Sequence, residues 1–471
     1  FKSDDKAIRD FVKLLLGRLV FIQFVQKKRW MGVPPSSKGW KNGDTNFLFN
    51  SFQNFRPQDL FYSQFLEPLF YETLSKPNRP NDFFKVTGTK VPFLNGGLFE
   101  KEELDTSLIN FPASFFKDLL EFFDKYNFTI NEYDPVEHEV GIDPEMLGSI
   151  FENLLEDNKD KGAFYTPKEI VHYMCQESLK EYLKTCLHGK KGWIENKESL
   201  IALESFVKKK EAGGVIDFDE VLATALRDVK ICDPAIGSGA FPMGLLNEIY
   251  QCVYVLFSAS PDVVGEIWSM DKWAPDVVKK NIIQNSIYGV DIEKGAVDIA
   301  RLRFWLSLII DEPEPHALPN LDYKIVVGNS MASKLNDEIV DIDWNWKEGT
   351  QTEMFGHSSL LERKLILEKI SKEQKEFFNP ESNKKELSSS ILRLKIDLLI
   401  SQFESLIKSS NQETEPKVSN YKDKKKFVQA TETYHSTLKW RDNVIKLKRL
   451  KIQPELHLNF FDWRLDFPEV M

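Results

Sequence analysis

One acid, one proline and two glycines fall within seven residues in Asp233-Pro234-Ala235-Ile236-Gly237-Ser238-Gly239. Gly237-Ser238-Gly239 is a turn only small residues can make. A carboxylate that opens such a loop suits a ligand carrying an amino group better than one carrying a pyrophosphate. A second acid, Asp291, ends the run Ser286-Ile287-Tyr288-Gly289-Val290 and is followed by Ile292. An acid at the end of a second strand can accept hydrogen bonds from ribose hydroxyls.

Such residues need strands and helices to hold them. Val229 and Ile231 alternate as a strand does. Met243, Leu246, Ile249 and Val253 recur at helical spacing. Strand, glycine turn and helix form the opening unit of a nucleotide-binding α/β fold, with the ligand at the carboxyl end of the strand. The dinucleotide fingerprint wants a third glycine where Pro242 stands, so NAD or FAD fits poorly. Ala296, Ile299, Ala300, Leu302, Phe304 and Leu308 predict a helix after Asp291. Tyr323 to Val327 predict a third strand, ending at Gly328-Asn329-Ser330. Ahead of the first strand, Thr166, Pro167 and Glu169 have the spacing of a capping box.

Outside this core the chain reads as mainly helical. Ile8, Val12, Leu15, Leu16, Leu19, Ile22 and Val25 predict a helix over residues 1–30, with Lys27, Lys28 and Arg29 complementing its dipole. Residues 32–60 read as a loop, 144–156 as an amphipathic helix and 258–280 as an irregular insert. From residue 340 to 458 three helices are expected in antiparallel arrangement. One carries Ile366, Ile370 and Phe377, the next Leu392, Ile396, Leu399, Phe403 and Leu406, and the last Phe427, Thr431, Tyr434 and Leu438. Ten Lys or Arg against three acids between Lys422 and Lys451 mark a candidate phosphate-facing patch, with Lys424, Lys425, Lys426 and Arg441 its expected contacts.

The chain has 471 residues and a net charge of −10, so it is not basic all over, but a local basic face suffices for nucleic acid. No apolar run reaches the roughly 18 residues of a membrane span. The four cysteines form no C-x-x-C pair and read as buried thiols of a reducing cytoplasm, with no metal site expected.

Asp233 to Phe241 resembles motif I of the S-adenosylmethionine-dependent DNA methyltransferases, specifically the adenine-N6 group. Gly162-Ala163-Phe164-Tyr165-Thr166-Pro167-Lys168-Glu169-Ile170-Val171 resembles motif X, and Ile287 to Ile292 resembles motif II. Asn329 stands where motif III often has an Asp that contacts the adenine amino group. Motif X ahead of motif I is the order of the γ type. Pro144 to Glu156 resembles the segment before F-Y-T-P in type IIG restriction–modification enzymes and related phage-defence methyltransferases.

The resemblance implies an α/β, Rossmann-like methyltransferase domain preceded by a mainly helical domain and carrying a helical insertion. The expected segments are a connector at 1–160, a cofactor core at 161–338, the insertion at 339–458 and an approach to the catalytic motif at 459–471. It implies S-adenosylmethionine held by Tyr165, Thr166, Asp233, Ala235, Gly237, Ser238, Gly239, Asp291, Ile292 and Asn329. Double-stranded DNA is the implied partner, with other subunits of a restriction or phage-defence system in some arrangements. The family's catalytic N-P-P-Y tetrapeptide does not occur; Phe460 to Met471 resembles the segment just before it, so the motif is expected beyond Met471 and any nuclease domain before Phe1. Two alternatives stand beside this reading. One is a methyltransferase acting on RNA or protein; the other is a non-catalytic scaffold with a vestigial cofactor pocket.

Overall fold

A computed structural model describes residues 5–94, 97–101, 109, 111–128, 141–142, 166–335, 338–340, 353–379, 382–410, 414–420, 423–452, 458 and 460–470. The helix expected at 144–156 and Tyr165 lie outside them. The chain divides into two compact units, Phe1–Val327 and Gly328–Met471.

The first unit opens with α1 (Asp5–Lys27). Its predicted apolar stripe holds only in part. Leu15, Leu19, Ile22 and Val25 are buried, but Ile8 and Val12 are exposed and Phe11 is buried in their place. From Gly17 onward nearly every residue is covered, Arg18 included. The Arg18 guanidinium donates to the carbonyls of Leu98 and Glu100 and to the Tyr71 hydroxyl, each at 2.8 Å, which offsets the cost of burying its charge. The 32–60 segment is not a plain loop: Phe47–Asn54 is a helix burying Phe47, Leu48 and Phe52 on an aromatic core. Gly- and Asn-rich flanks hid a short apolar pattern there.

Of the helices α2 (Lys168–Leu187), α3 (Asp219–Asp228), α4 (Ala240–Ala259), α5 (Pro261–Trp268), α6 (Pro275–Asn285) and α7 (Lys294–Asp311), α4, α6 and α7 pack on the sheet and α2, α3 and α5 pack on α4 or on one another. The insert expected to be irregular at 258–280 is therefore mostly helical. Pro261 and Pro275 each stand at a first helical turn, where the missing N–H costs nothing, so they start helices instead of breaking them. The predicted faces of α4 and α7 are buried as expected. Lys28, just past α1, donates to the Ile310 carbonyl at 2.8 Å, so one member of the basic cluster serves the last turn of α7.

Three parallel strands, β1 (Ile231–Asp233), β2 (Ile287–Asp291) and β3 (Ile325–Val327), lie side by side in that order. The molecule is thus mostly helical around a small parallel sheet. Ile287, Tyr288 and Val290 of the central strand are all buried, as a strand covered on both faces requires. Register pairs Asp233 with Gly289 and Asp291 with Val327, which brings the carboxyl ends of the strands to one edge.

In the second unit, α8 (Glu353–Phe377), α9 (Lys384–Ser410) and α10 (Lys424–Ile452) form the expected helices, with α9 packed on both others. Ile370, Phe377, Ile396, Leu399 and Phe403 are buried as predicted, while Ile366, Leu392 and Leu406 are only half-buried. The seam of α10 differs. Leu438 is 41% exposed, and Thr437, Asn443, Val444 and Leu447 are buried instead. The predicted stripe lies in the first half of the helix, but the packing is concentrated in the second. A buried Lys395–Asp466 ion pair at 2.6 Å joins α9 to the short helix Trp463–Asp466. Trp463 in turn donates its indole N–H to the Ser330 carbonyl at 3.1 Å. No helix among the described residues is long and apolar enough to cross a membrane.

Candidate functional site

At the carboxyl edge of the sheet, the structure brings together Asp233, Ala235, Gly237, Ser238, Gly239 and Asp291. Asp233 is the last residue of β1, and its Oδ1 accepts from the Ala235 N–H at 3.0 Å, closing the turn that Pro234 begins. Gly237 (φ +53°) and Gly239 (φ +84°) take left-handed conformations that side chains disfavour. At Gly239 there is a second constraint, since a Cβ would meet that of Ala300 in α7 at 3.3 Å. Ile236 turns inward and donates its N–H to the Val290 carbonyl at 3.0 Å. It occupies the space over Gly289, where an added Cβ would come within 2.2 Å of the Ile236 Cδ1.

Asp291 ties the two strand ends to each other. Its Oδ2 accepts from the Gly237 N–H and its Oδ1 from the Glu293 N–H, both at 2.9 Å. Each carboxylate oxygen keeps a second lone pair. Burial raises the pKa of the Asp233 carboxyl, and the negative Asp291 nearby adds to the rise against the opposing pull of the Ala235 N–H. The edge thus holds two carboxylates at adjacent strand ends, and space over Gly237 is open, with nothing within 4 Å of an added Cβ.

Ile292 is 68% exposed directly after Asp291. Val327, which sequence reasoning missed, is 47% exposed opposite Asp291 in the parallel register. The signal for it was present, since it is the last residue of the third strand. Also missed was Arg303, a buried side chain of α7 that donates to the Ser238 carbonyl at 2.8 Å. Nothing local marks it, because 65 residues separate the pair.

Thr166 does not cap α2. Pro167 takes the N-cap position with φ −53° and ψ 143°, no side chain caps the helix, and the Ile170 and Val171 N–H groups bond the Pro167 carbonyl. The proline's extended ψ delays the helix by one residue, which leaves Thr166 and Glu169 out of register for a capping box. Beyond its first turn α2 packs closely on α4, where an added Cβ at Gly244 would stand 2.8 Å from Val171 Cγ1 and 2.9 Å from the Cys175 Sγ.

Asn329 belongs to the second unit. Its side-chain oxygen accepts from Met331 (3.0 Å) and Ala332 (3.3 Å) N–H groups, so it already closes its own turn. All four cysteines are free, and burial pushes the Cys175 and Cys252 thiols up to about 12, which leaves them unreactive. Among the described residues, no cluster of three His, Cys, Asp or Glu could hold a metal ion.

Residues 285–471 match the Eco57I restriction-modification methylase family, a match that begins just ahead of β2 and runs through the second unit. A protein of Methanocaldococcus jannaschii, named for a type II restriction enzyme and methyltransferase, is 29% identical over 366 residues, 70% of this chain. The chain spans 28% of that relative's length. The solved structure of the type IIL restriction-modification enzyme MmeI in complex with DNA aligns over 70% of this chain and 38% of its own, at 17% identity and a TM-score of 0.42, too distant to bear on function. The family match supports a methyltransferase role.

Proposed function

We propose that this chain is the S-adenosylmethionine-binding part of a DNA methyltransferase acting on adenine N6 within a restriction–modification or phage-defence system. The observation that carries the reading is the pair of carboxylates, Asp233 and Asp291, flanking an open glycine turn at adjacent strand ends of the small parallel sheet. Asp291, with its spare lone pairs, would hold the ribose hydroxyls. Asp233, as a carboxylate, would attract the ammonium of the amino-acid arm. Ala235, Gly237, Ser238 and Gly239 would let the ligand approach the backbone. Thr166, just ahead of α2, would add to these contacts, and Tyr165 is included by the motif X resemblance. The adenine faces would rest on Ile292 and Val327. Bound there, the cofactor supplies an electrophilic methyl group.

Calorimetric titration tests this directly: S-adenosylmethionine should bind and NAD should not. Binding should weaken as pH falls through the raised pKa of Asp233, because protonation removes the charge that meets the ammonium. Saturable NAD binding in place of S-adenosylmethionine would overturn the assignment.

Double-stranded DNA is the proposed substrate, with the first turn of α10 as a non-specific contact. Lys424, Lys425 and Lys426 are exposed there, at the positive end of a helix dipole that the Asp423 carboxylate caps through the Lys425 N–H at 2.8 Å, so three cations stand against one acid. Farther along, Lys446, Lys448 and Lys451 are paired with Asp442, Glu404 and Asp397, so the basic run is partly neutralised toward its end. Replacing Lys424, Lys425, Lys426 and Arg441 with Gln should reduce the salt dependence of duplex binding by up to about 0.9 logarithmic units of affinity per lost phosphate contact, per tenfold change in salt. A filter-binding series with an unchanged slope would make the patch a solvated helix face.

A further inference from the structure

We infer that α7, through Arg303, is the positioning element of the glycine turn, and that Arg303 tunes cofactor affinity without touching the cofactor. This rests on the cofactor reading above. Arg303 and Ser238 are each 3% exposed, and the guanidinium Nη1 donates to the Ser238 carbonyl at 2.8 Å. Ser238 lies between the two left-handed glycines, Gly237 and Gly239. Its carbonyl is where a side chain from another helix grips the turn, beside the Gly239 N–H bond to the Ile236 carbonyl at 2.8 Å.

The same helix shapes the turn from below. A Cβ at Gly239 would meet the Ala300 Cβ at 3.3 Å and the Phe304 ring at 3.8 Å. Ala300, Arg303 and Phe304 follow the spacing i, i+3, i+4 and so share one face of α7. Above the turn, Asp291 accepts from the Gly237 N–H. The turn is thus held at Gly237 by the carboxylate that ends β2 and at Ser238 by the arginine of the helix following it. β2 and α7 together set the conformation of a loop that belongs to β1. A buried guanidinium is a strong donor in a fixed fork, and its removal would leave the Ser238 carbonyl without that charge-assisted bond.

The test uses the full chain, with Arg303→Met and Arg303→Lys compared at a temperature well below each variant's melting midpoint. Arg303→Met should bind S-adenosylmethionine roughly ten- to a hundredfold more weakly than the native protein. Lysine keeps the charge and one donor but not the fork, so Arg303→Lys should fall between the two. In the ligand-free protein, amide hydrogen exchange at Gly237 and Gly239 should quicken in both variants while the β2 amides exchange as before. A contact that merely supports the core would lower the melting midpoint and leave affinity and turn exchange alone. Native affinity and native turn exchange in either folded variant would overturn the inference, and Arg303→Lys decides it if Arg303→Met does not fold. If the native protein takes up no S-adenosylmethionine, the functional reading fails, whereas the exchange measurement still reports whether Arg303 holds the turn.

Discussion

Asp291→Ala should bind S-adenosylmethionine at least about a hundredfold more weakly than the native chain. A hydrogen bond to a charged group contributes roughly 1.5–3 kcal/mol, and each 1.4 kcal/mol is about tenfold in affinity. Loss of the ribose contact alone would account for ten- to a hundredfold. The structure adds to this, because Asp291 also accepts from the Gly237 and Glu293 N–H groups and so joins the loop after β1 to the loop after β2. Alanine would release both loops before any ligand arrives. Asp291→Asn separates the two contributions. A carboxamide keeps the shape but can accept at only one end, and its NH2 would face the N–H of either Gly237 or Glu293. Asn should therefore bind nearly as poorly as Ala and melt at a lower temperature than the native protein. Calorimetry showing either variant within threefold of native affinity would remove Asp291 from the cofactor site.

A second large effect is expected far from the site, at the end of α7. Glu312 is 8% exposed, and burial raises its carboxyl pKa to about 7. Lys280, a backbone N–H from the His316 segment and Lys28 oppose that rise, while Asp276 adds to it. Its Oε2 has no hydrogen-bond partner, and His316 Nδ1 is 3.9 Å away. The neutral acid is thus the form the fold prefers. In the unfolded chain the group ionises near the ordinary 4.5, so between there and about 7 the folded state binds more protons than the unfolded state. Stability should then fall as pH rises through this window. At about 1.36 kcal/mol per pKa unit, the fall attributable to Glu312 approaches roughly 3 kcal/mol. Glu312→Gln should abolish it and leave the variant more stable than the native protein at pH 8, with little advantage at pH 4. Urea unfolding across that range would show the difference between the two proteins growing with pH. A constant difference would mean that Glu312 ionises normally in its buried setting.

These two acids illustrate different degrees of legibility. Asp291 could be read from the sequence because its placement is local: an apolar run, a glycine and an acid at the point where a strand must stop. The glycine turn, the buried faces of α4 and α7 and the helical character of the second unit were legible for the same reason. Each depends on the spacing of residues within one element, which the backbone geometry of strands and helices sets directly. Glu312 carries no such sign. Its raised pKa comes from burial among residues of other elements.

What only the tertiary structure decided has one physical source. Periodicity shows that a helix has an apolar face, but which neighbour covers it depends on contacts between residues far apart in the chain. Ile8 and Val12 belong to the stripe of α1 yet are exposed, whereas Arg18 is buried because Tyr71, Leu98 and Glu100 offer it acceptors. The basic run of α10 reads as uniform in sequence, but Glu404 and Asp397 on α9 neutralise Lys448 and Lys451 and leave Lys424, Lys425 and Lys426 exposed. The sequence by itself determined the turn and the places of its two acids. Only the fold placed Arg303 beneath Ser238 and Val327 beside Asp291, since a hydrogen bond across 65 residues and a register between parallel strands exist only after the chain has closed on itself.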